Sequence, residues 1–236
     1  NQYSSTHTYF SLSHTFLDTT KENESIFVGT HTYQYKFTLP LTCDSTYQKG
    51  YGKIKYGCLI DIVRPFPKSN IQLLEQFTVV RPVDLRIYHI PAPQIETVET
   101  RYLPSSKGSV TMKAILHDGW YLPGQTIHFD ASIFNRSHSP ISSMEVRLVE
   151  ATTYLGFQGY KRHQRVVKNE LVNTCQEIYV ASGGDYDCKR AITIPPFTPT
   201  IHTCPHIIVE YYVKVLVSTS SSGTSLSLRI PIVIGT

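Results

Sequence analysis

Apolar and polar side chains alternate along much of the chain, at a spacing of two residues. One run has apolar side chains at Ile54, Tyr56, Cys58, Ile60 and Ile62. Similar alternation occurs over residues 33–39, 127–133, 144–148, 209–217 and 226–234. A period of two places every second side chain on one face of a strand, and no stretch of comparable length keeps a helical period. The pattern predicts an all-β fold.

Several of these runs recur at one fixed distance, which indicates an internal repeat. An ungapped offset of 155 residues pairs Phe-Thr-Leu-Pro at 37–40 with Ile-Thr-Ile-Pro at 192–195. The same offset pairs 54–60 with 209–215, with the apolar positions in phase. The chain is therefore predicted to carry two copies of one β module. In this register, the positions expected to be buried in both copies are Phe37, Ile54, Tyr56 and Ile60, matching Ile192, Val209, Tyr211 and Val215.

The repeat also predicts domain boundaries. The second copy begins near Gly108, so the same offset places the start of the first copy about 47 residues before Asn1. Prolines at 82, 91, 93 and 104 are typical of the end of one module and a linker to the next. We expect an incomplete sandwich over 1–90, a linker over 91–107 and a complete antiparallel sandwich over 108–236.

Composition indicates a reducing compartment and gives no sign of a membrane-spanning helix or of nucleic-acid binding. Five cysteines are an odd number, which favours free thiols in a reducing compartment over a disulfide framework. No apolar run approaches the ~20 residues of a membrane-spanning helix, and the first residues lack the pattern of a signal peptide. The net charge of +4 is mild and the basic residues are spread along the chain, so nucleic acid is not indicated.

Ten histidines invite a search for catalytic and metal-binding patterns. The sequence contains no Gly-x-Ser-x-Gly, no His-Glu-x-x-His and no glycine-rich phosphate loop. His202, Cys204 and His206 have a spacing that shares one strand face, but Pro205 interrupts the run and no fourth ligand is near. We predict no enzymatic activity, no metal and no cofactor.

A series of short segments, taken in order, resembles the α-arrestins, the arrestin domain-containing proteins. In the first half these are Phe-Thr-Leu-Pro at 37–40, Gly-Lys-Ile-Lys-Tyr at 52–56 and the stretch 77–85. In the second half, Gly-Trp-Tyr-Leu-Pro-Gly-Gln at 119–125 resembles the family's Gly-Tyr-x-Pro-Gly-Glu turn. Ile-Pro-Pro-Phe-Thr-Pro-Thr-Ile at 194–201 resembles its Ile-Pro-Pro-x-Thr-Pro-Ser-Ile segment, and the ending 230–236 is also similar. The retromer subunit of arrestin fold is a second relative, which matches these turns less well.

The resemblance implies two tandem arrestin-like antiparallel β-sandwiches, of which the first lacks its N-terminal strands. It also implies a cytoplasmic adaptor, recruited to plasma membrane and endosomes, that binds membrane receptors or transporters. α-Arrestins promote ubiquitination and endocytosis of such cargo by recruiting HECT-type ubiquitin ligases through Pro-Pro-x-Tyr motifs in a tail. This chain contains no Pro-Pro-x-Tyr.

Four residues are candidates for partner binding. Lys53 and Lys55 lie on the strand face opposite Ile54 and are expected to form a basic stripe for an acidic or phosphorylated receptor tail, or simply an exposed sheet face. Trp120 precedes a Pro-Gly turn of type II pattern and is either a partner anchor or packed under its own loop.

The fourth candidate is Cys188, which bears on a redox alternative. One branch of the family, thioredoxin-interacting protein, forms a mixed disulfide with thioredoxin through a loop cysteine, whose position corresponds here to Gly184. Cys188 lies four residues later in a glycine-rich segment, where aspartates raise and Lys189 with Arg190 lower a thiol pKa. We favour the general adaptor over thioredoxin binding. An extracellular β-sandwich adhesion module is a third alternative, against which the odd cysteine count argues.

Overall fold

A computed structural model describes residues 3–18, 28–82, 95–103, 108–219 and 225–236. These residues form β-strands and contain no helix, and thus no helix long and apolar enough to cross a membrane. The strands are β1 (Tyr47–Lys49), β2 (Gly52–Ile54), β3 (Tyr56–Ile62), β4 (Ile71–Phe77), β5 (Ile95–Leu103), β6 (Gly108–Leu116), β7 (Trp120–Tyr121), β8 (Thr126–Arg136), β9 (Ile141–Gln158), β10 (Lys161–Val180), β11 (Asp185–Thr193), β12 (Ile207–Thr219) and β13 (Ser225–Ile234). The all-β prediction is confirmed.

The second half is a sandwich of two sheets. One sheet has the order β10-β9-β12-β13-β7 and the other β11-β8-β6-β5. All pairs are antiparallel except β13 with β7, where Val233 lies opposite Trp120 in parallel register. Alternate side chains of β8 and β12 point into the core, where Phe129, Val209 and Val215 are almost fully buried. The period of two seen in the sequence is therefore the period of burial.

The segment 91–107, predicted to be a linker, instead contains strand β5. This strand pairs with β6 over its whole length, from Ile95 opposite Leu116 to Leu103 opposite Gly108. The second sandwich therefore starts before Gly108, and the predicted boundary is too late. Between prolines 93 and 104, charged residues occur at even positions (Glu96) as well as odd positions (Glu99 and Arg101). The sequence therefore does not show the alternation of apolar and polar residues that predicts a strand.

The register of strand pairing supports the internal repeat. In the β3–β4 hairpin, Tyr56 lies opposite Phe77 and Ile62 opposite Ile71. In the β12–β13 hairpin, Tyr211 lies opposite Ile232 and Val217 opposite Leu226. The two hairpins are thus paired in the same register at the 155-residue offset.

Burial in the first half follows the repeat only in part. Ile54 and Tyr56 are buried as predicted, whereas Phe37 is half-buried and Ile60 is 51% exposed. The prediction for Ile60 is wrong because its counterpart Val215 lies under an opposing four-stranded sheet. Among the described residues, no such sheet covers β3. The described part of the first half contains instead two two-stranded sheets, β1–β2 and β3–β4.

The strand predicted over residues 33–39 is also absent from the described part of the first half. Tyr33 and Tyr35 are about half exposed, and this segment is held by contacts between aromatic rings. Tyr35 stacks on Phe37, and Phe37 contacts Phe77 with ring centroids 6.1 Å apart. An alternating pattern gives a strand only when a neighbouring strand supplies hydrogen bonds, and no strand in the described ranges does so for residues 33–39.

Candidate functional site

The hairpin β1–β2 docks on the second sandwich, and a glycine permits the close approach. A Cβ atom at Gly52 would lie 2.7 Å from the Ile207 side chain and 3.0 Å from the ring of Tyr154. Beside it, the Tyr47 hydroxyl is buried within hydrogen-bond distance of Tyr154 Oη (3.0 Å) and Thr152 Oγ1 (3.3 Å). Burial is the main reason that the pKa of Tyr47 is raised. The two halves thus meet at a packed, hydrogen-bonded contact.

An ion pair crosses this contact. Lys49 Nζ on β1 donates to Glu150 Oε2 on β9 at 2.8 Å, and the Glu150 side chain is fully buried. Tyr211 Oη and Asn169 Nδ2 also donate to this carboxylate, at 3.1 and 3.2 Å. Burial, followed by the charge of Glu150, raises the pKa of Tyr211. Lys49 is the one cation in the described hydrogen bonds to Glu150.

A second polar cluster ties three separate segments together around buried Asp44. Tyr9 Oη donates to Asp44 Oδ2 at 2.6 Å, and Arg81 Nη1 lies 3.2 Å from Oδ1. Thr203 of the second half donates to the same oxygen and accepts from Arg81 at 2.7 Å. Burial and the hydrogen bond to Asp44 raise the pKa of Tyr9. Through Asp44, these contacts connect the segment around Tyr9 to Arg81 of the first half and to Thr203 of the second half.

Between these two clusters lies a cleft of about 1160 Å³, which we call the basic cleft. Its walls come from residues 3–9, from 48–55 and from the ends of β9, β10 and β12. Among the described residues that line it, none is Asp or Glu. Its basic side chains are Lys49, Lys53, Lys55, Arg165, His7, His163 and His206. A concave surface of one charge sign concentrates counterions, so the basic cleft is suited to an anionic ligand.

Aromatic rings hold two of the basic groups in place. The Arg165 guanidinium lies 3.8 Å above the ring centroid of Tyr51, a cation–π contact between β10 and the first half. The His163 ring lies 3.9 Å from that of Tyr3. His206 Nδ1 is buried and has no hydrogen-bond partner among the residues described. Several donors are therefore positioned before any ligand binds.

Two of the residues predicted as candidates for partner binding, Lys53 and Lys55, lie at this site. Lys53 and Lys55 are exposed on the face opposite buried Ile54, as predicted, and both line the cleft. The sequence reasoning missed Arg165 and His163, which reach the cleft from a strand more than 100 residues away. The run of basic residues over 161–168 could have indicated this part of the site. We interpreted the basic residues as spread along the chain, whereas in the structure this run lies together on β10.

Trp120 lies outside the cleft. Its side chain is 45% exposed while the neighbouring Tyr121 is buried, and the turn that follows has the predicted geometry. Gly124 has a φ of +87°, and Gln125 N donates to Leu122 O at 3.1 Å, as in a type II turn. Trp120 remains a candidate partner anchor, separate from the basic cleft.

Cys188 lies within strand β11, opposite Ala131, and not in a loop, although a glycine-rich segment precedes it. Its side chain is half-buried, and Sγ lies 3.8 Å from Sδ of Met144. Burial raises the pKa of this thiol, and Arg190 opposes that shift. At neutral pH a raised pKa lowers the thiolate fraction, and the thiolate is the nucleophile. The arrangement therefore disfavours exchange with a partner disulfide.

All five cysteines are free, and Cys58 and Cys175 are exposed. We expect Cys188 to react with iodoacetamide at neutral pH more slowly than these two, and its rate to keep rising above the ordinary thiol pKa. Site-resolved mass spectrometry of the labelled protein measures this. As a thioredoxin probe, a variant without its resolving cysteine carries its remaining cysteine as a mixed disulfide with thionitrobenzoate, so that attack by a protein thiolate releases thionitrobenzoate and leaves a covalent adduct. We expect no adduct on a non-reducing gel that depends on Cys188; an adduct lost in Cys188→Ser would contradict the assignment.

The potential zinc ligands of the sequence do not form a site. Cys204 is buried and forms part of the cleft wall, and His202 is exposed. The described residues contain no group of three His, Cys, Asp or Glu side chains placed to hold a metal ion.

Comparison with known proteins gives the family. The model of the arrestin (or S-antigen) C-terminal domain matches residues 106–236, and that of the N-terminal domain matches residues 1–86. Arrestin domain-containing protein 17 of Caenorhabditis elegans is 29% identical over 223 residues, covering 91% of this chain and 50% of the relative. Arrestin domain-containing protein 4 of Homo sapiens is 29% identical over 213 residues, covering 88% of this chain and 49% of the relative.

A solved structure is also similar over part of the chain. Spo0M, a sporulation control protein from Bacillus subtilis, matches with a TM-score of 0.43 and 15% identity, covering 54% of this chain and 49% of that one. The chain spans about half the length of the curated relatives it matches. With both arrestin domain models matched in tandem and arrestin domain-containing relatives along most of its length, the chain belongs to the α-arrestin branch of the arrestin family.

Proposed function

We propose that this chain forms the cargo-binding part of a non-enzymatic adaptor, and that the basic cleft holds an acidic segment of its cargo. The observation that carries the proposal is the charge of the cleft wall. Lys53, Lys55 and Arg165 converge from two halves of the molecule, with no carboxylate among the described lining residues. An acidic polypeptide gains attraction to all of these groups at once, which favours both its association rate and its selection over neutral segments.

The cargo we propose is a cytoplasmic segment of a membrane receptor or transporter. Family membership supports this choice, and the five free cysteines fit a reducing cytoplasm. Recruitment to plasma membrane and endosomes then follows from cargo binding. Ubiquitination and endocytosis of that cargo belong to the proposed role of the whole protein, in which a HECT-type ubiquitin ligase binds a tail outside this sequence.

Two alternatives receive less support from the geometry. Thioredoxin binding by Cys188 requires an accessible thiolate, whereas this thiol is half-buried with a raised pKa. An extracellular adhesion module is expected to carry disulfides, whereas all five cysteines are unpaired.

Reversing the charge of the cleft should weaken binding of an acidic peptide. We expect Lys53→Glu/Lys55→Glu to lower the affinity for a fluorescent glutamate-rich peptide by on the order of tenfold or more, because two attractive contacts become repulsive. Both side chains are exposed, so the fold should tolerate the change. Fluorescence anisotropy at low and physiological salt measures the affinity, and salt should weaken wild-type binding.

The matched control is Lys68→Glu/Lys189→Glu, which changes the net charge equally at exposed positions outside the cleft. Its affinity should stay close to that of the wild type. Equal loss in both double variants would mean that only overall charge matters and would overturn the assignment of the cleft. The same peptide with glutamine in place of glutamate should not bind.

A further inference from the structure

Strand β10 lies at the edge of the five-stranded sheet, and its outer side is paired with no described strand. From Lys161 to Glu170 it follows β9 without a bulge, and the first register shift comes only after Glu170. A regular, unpaired edge of this length presents a row of backbone donors and acceptors to which another strand can add.

The hydrogen bonds of β9 show which backbone groups of β10 point outward. Phe157 N donates to Ser4 O, and Leu155 N donates to His206 O, so both amides point away from β10. Their partners across the pair are Arg162 and Gln164. In an antiparallel pair such residues form no hydrogen bond to each other, so their own N–H and C=O groups face the free edge. The same alternation assigns outward groups to Val166 and Lys168.

The side chains of this edge are strongly cationic. Between Gly159 and Asn169 the sequence contains Lys161, Arg162, Arg165 and Lys168 and no Asp or Glu. All four side chains are exposed, and none forms an ion pair with the carboxylates described. We call residues 161–168 of β10 the basic edge. Charges on an edge strand commonly prevent aggregation, and here they also determine which partner fits.

Charge selects among the strands that could pair with this edge. A second copy of the chain would place one cationic edge against another, and like charges on paired strands are destabilising. A strand rich in Glu or Asp would meet opposite charges on both faces of β10, because the cations occupy odd and even positions alike. Backbone hydrogen bonds would supply affinity, and the cations would supply selectivity.

We propose that the basic edge binds an extended acidic segment of a partner protein, which adds to the sheet as a further strand. The site adjoins the basic cleft but differs from it in kind: the cleft attracts charge, whereas the edge also requires a free peptide backbone. Arg162, Val166 and Lys168 lie outside the cleft lining, so the two sites can be tested separately.

The direct test is amide hydrogen exchange on the wild-type chain, with and without a capped peptide of threonine and glutamate that has glutamates at both odd and even positions. Strand addition should slow exchange selectively at the outward amides of Arg162, Gln164, Val166 and Lys168. The amides of the intervening residues already bond to β9 and should change little. Peptide binding without this alternating protection, or no binding at all, would overturn the proposal.

A proline variant tests the backbone contribution without changing charge. Val166 is 48% exposed and its amide faces the edge, so proline removes one outward donor and leaves the bonds to β9 in place. We expect Val166→Pro to weaken peptide binding at least about fivefold, and Val166→Ala to bind like the wild type. Thermal unfolding checks that both variants fold. If the proline variant does not fold, the hydrogen-exchange experiment on the wild-type chain still tests the proposal.

Charge variants separate the edge from the cleft. Arg162→Glu/Lys168→Glu should weaken binding of this peptide, whereas Lys53→Glu/Lys55→Glu should leave the alternating protection intact. Loss of all binding in the cleft variant, with no effect of Val166→Pro, would overturn the edge proposal and leave the proposed function standing. Binding of phosphatidylserine vesicles that competes with the peptide and is insensitive to Val166→Pro would assign the cations to a membrane surface and also overturn it.

Discussion

Replacing Val209 by aspartate should unfold, or nearly unfold, the second sandwich. Val209 is fully buried on β12 between β9 and the segment at Ile201, to which it makes two backbone hydrogen bonds. A carboxylate at this position would be removed from water without a partner cation. We expect a loss of about 4 kcal/mol or more in the free energy of unfolding, a large part of the 5 to 15 kcal/mol typical of a domain.

Urea denaturation of the purified protein measures the loss, and a low yield of soluble protein is the cruder sign. Glu210→Asp is the matched control, since it places the same side chain one residue away at an exposed position. That variant should unfold within about 0.5 kcal/mol of the wild type. A Val209→Asp protein that is as stable as this control would mean that β12 does not lie in the core.

Local alternation was enough to predict most of the second sandwich. The runs at 127–133, 209–217 and 226–234 all appear as strands with the expected face buried. In these strands one face packs in the core and the other faces solvent, so apolar and polar residues alternate in the sequence with a period of two. The repeat offset was equally informative, because it identified which strands correspond, and the equivalent registers of the β3–β4 and β12–β13 hairpins agree with it.

The sequence predictions were wrong where burial depends on a second sheet or a neighbouring strand, which a local pattern does not specify. Ile60 and Val215 occupy equivalent positions, yet one is exposed and the other buried, because only Val215 has a second sheet above it. The same reasoning applies to residues 33–39, whose alternation found no neighbouring strand. Hydrophobic periodicity reports which face could be buried, and tertiary contacts decide whether it is.

The sequence predicted two of the basic residues of the basic cleft, Lys53 and Lys55, but not Arg165. Lys53 and Lys55 share a strand face with buried Ile54 behind them, which is a property of sequence alone. Arg165 joins them only because β10 folds back along β9 and because Tyr51 lies beneath its guanidinium. Contacts between residues so far apart leave no trace in one sequence.

The second large effect is expected at the ion pair between the halves. Lys49→Met should lower the free energy of unfolding by roughly 2 to 3 kcal/mol, because it leaves the fully buried carboxylate of Glu150 without its cation. Tyr211 and Asn169 remain as neutral donors, which reduces the loss but does not balance the charge. The Lys49 side chain is 39% exposed, so we expect less than the full cost of breaking a wholly buried pair.

A double-mutant cycle identifies the origin of that loss. Glu150→Gln alone removes the charge and keeps a hydrogen-bonding side chain of the same shape, and Lys49→Met/Glu150→Gln removes both charges. Since the cost in the single Lys49 variant arises from an uncompensated anion, the double variant should be more stable than Lys49→Met and show a coupling energy of at least about 1 kcal/mol. Urea unfolding of all four proteins measures the cycle. Additive losses would show that Lys49 acts only by packing its stem against the second half, and that the buried charge of Glu150 is held by its neutral donors alone.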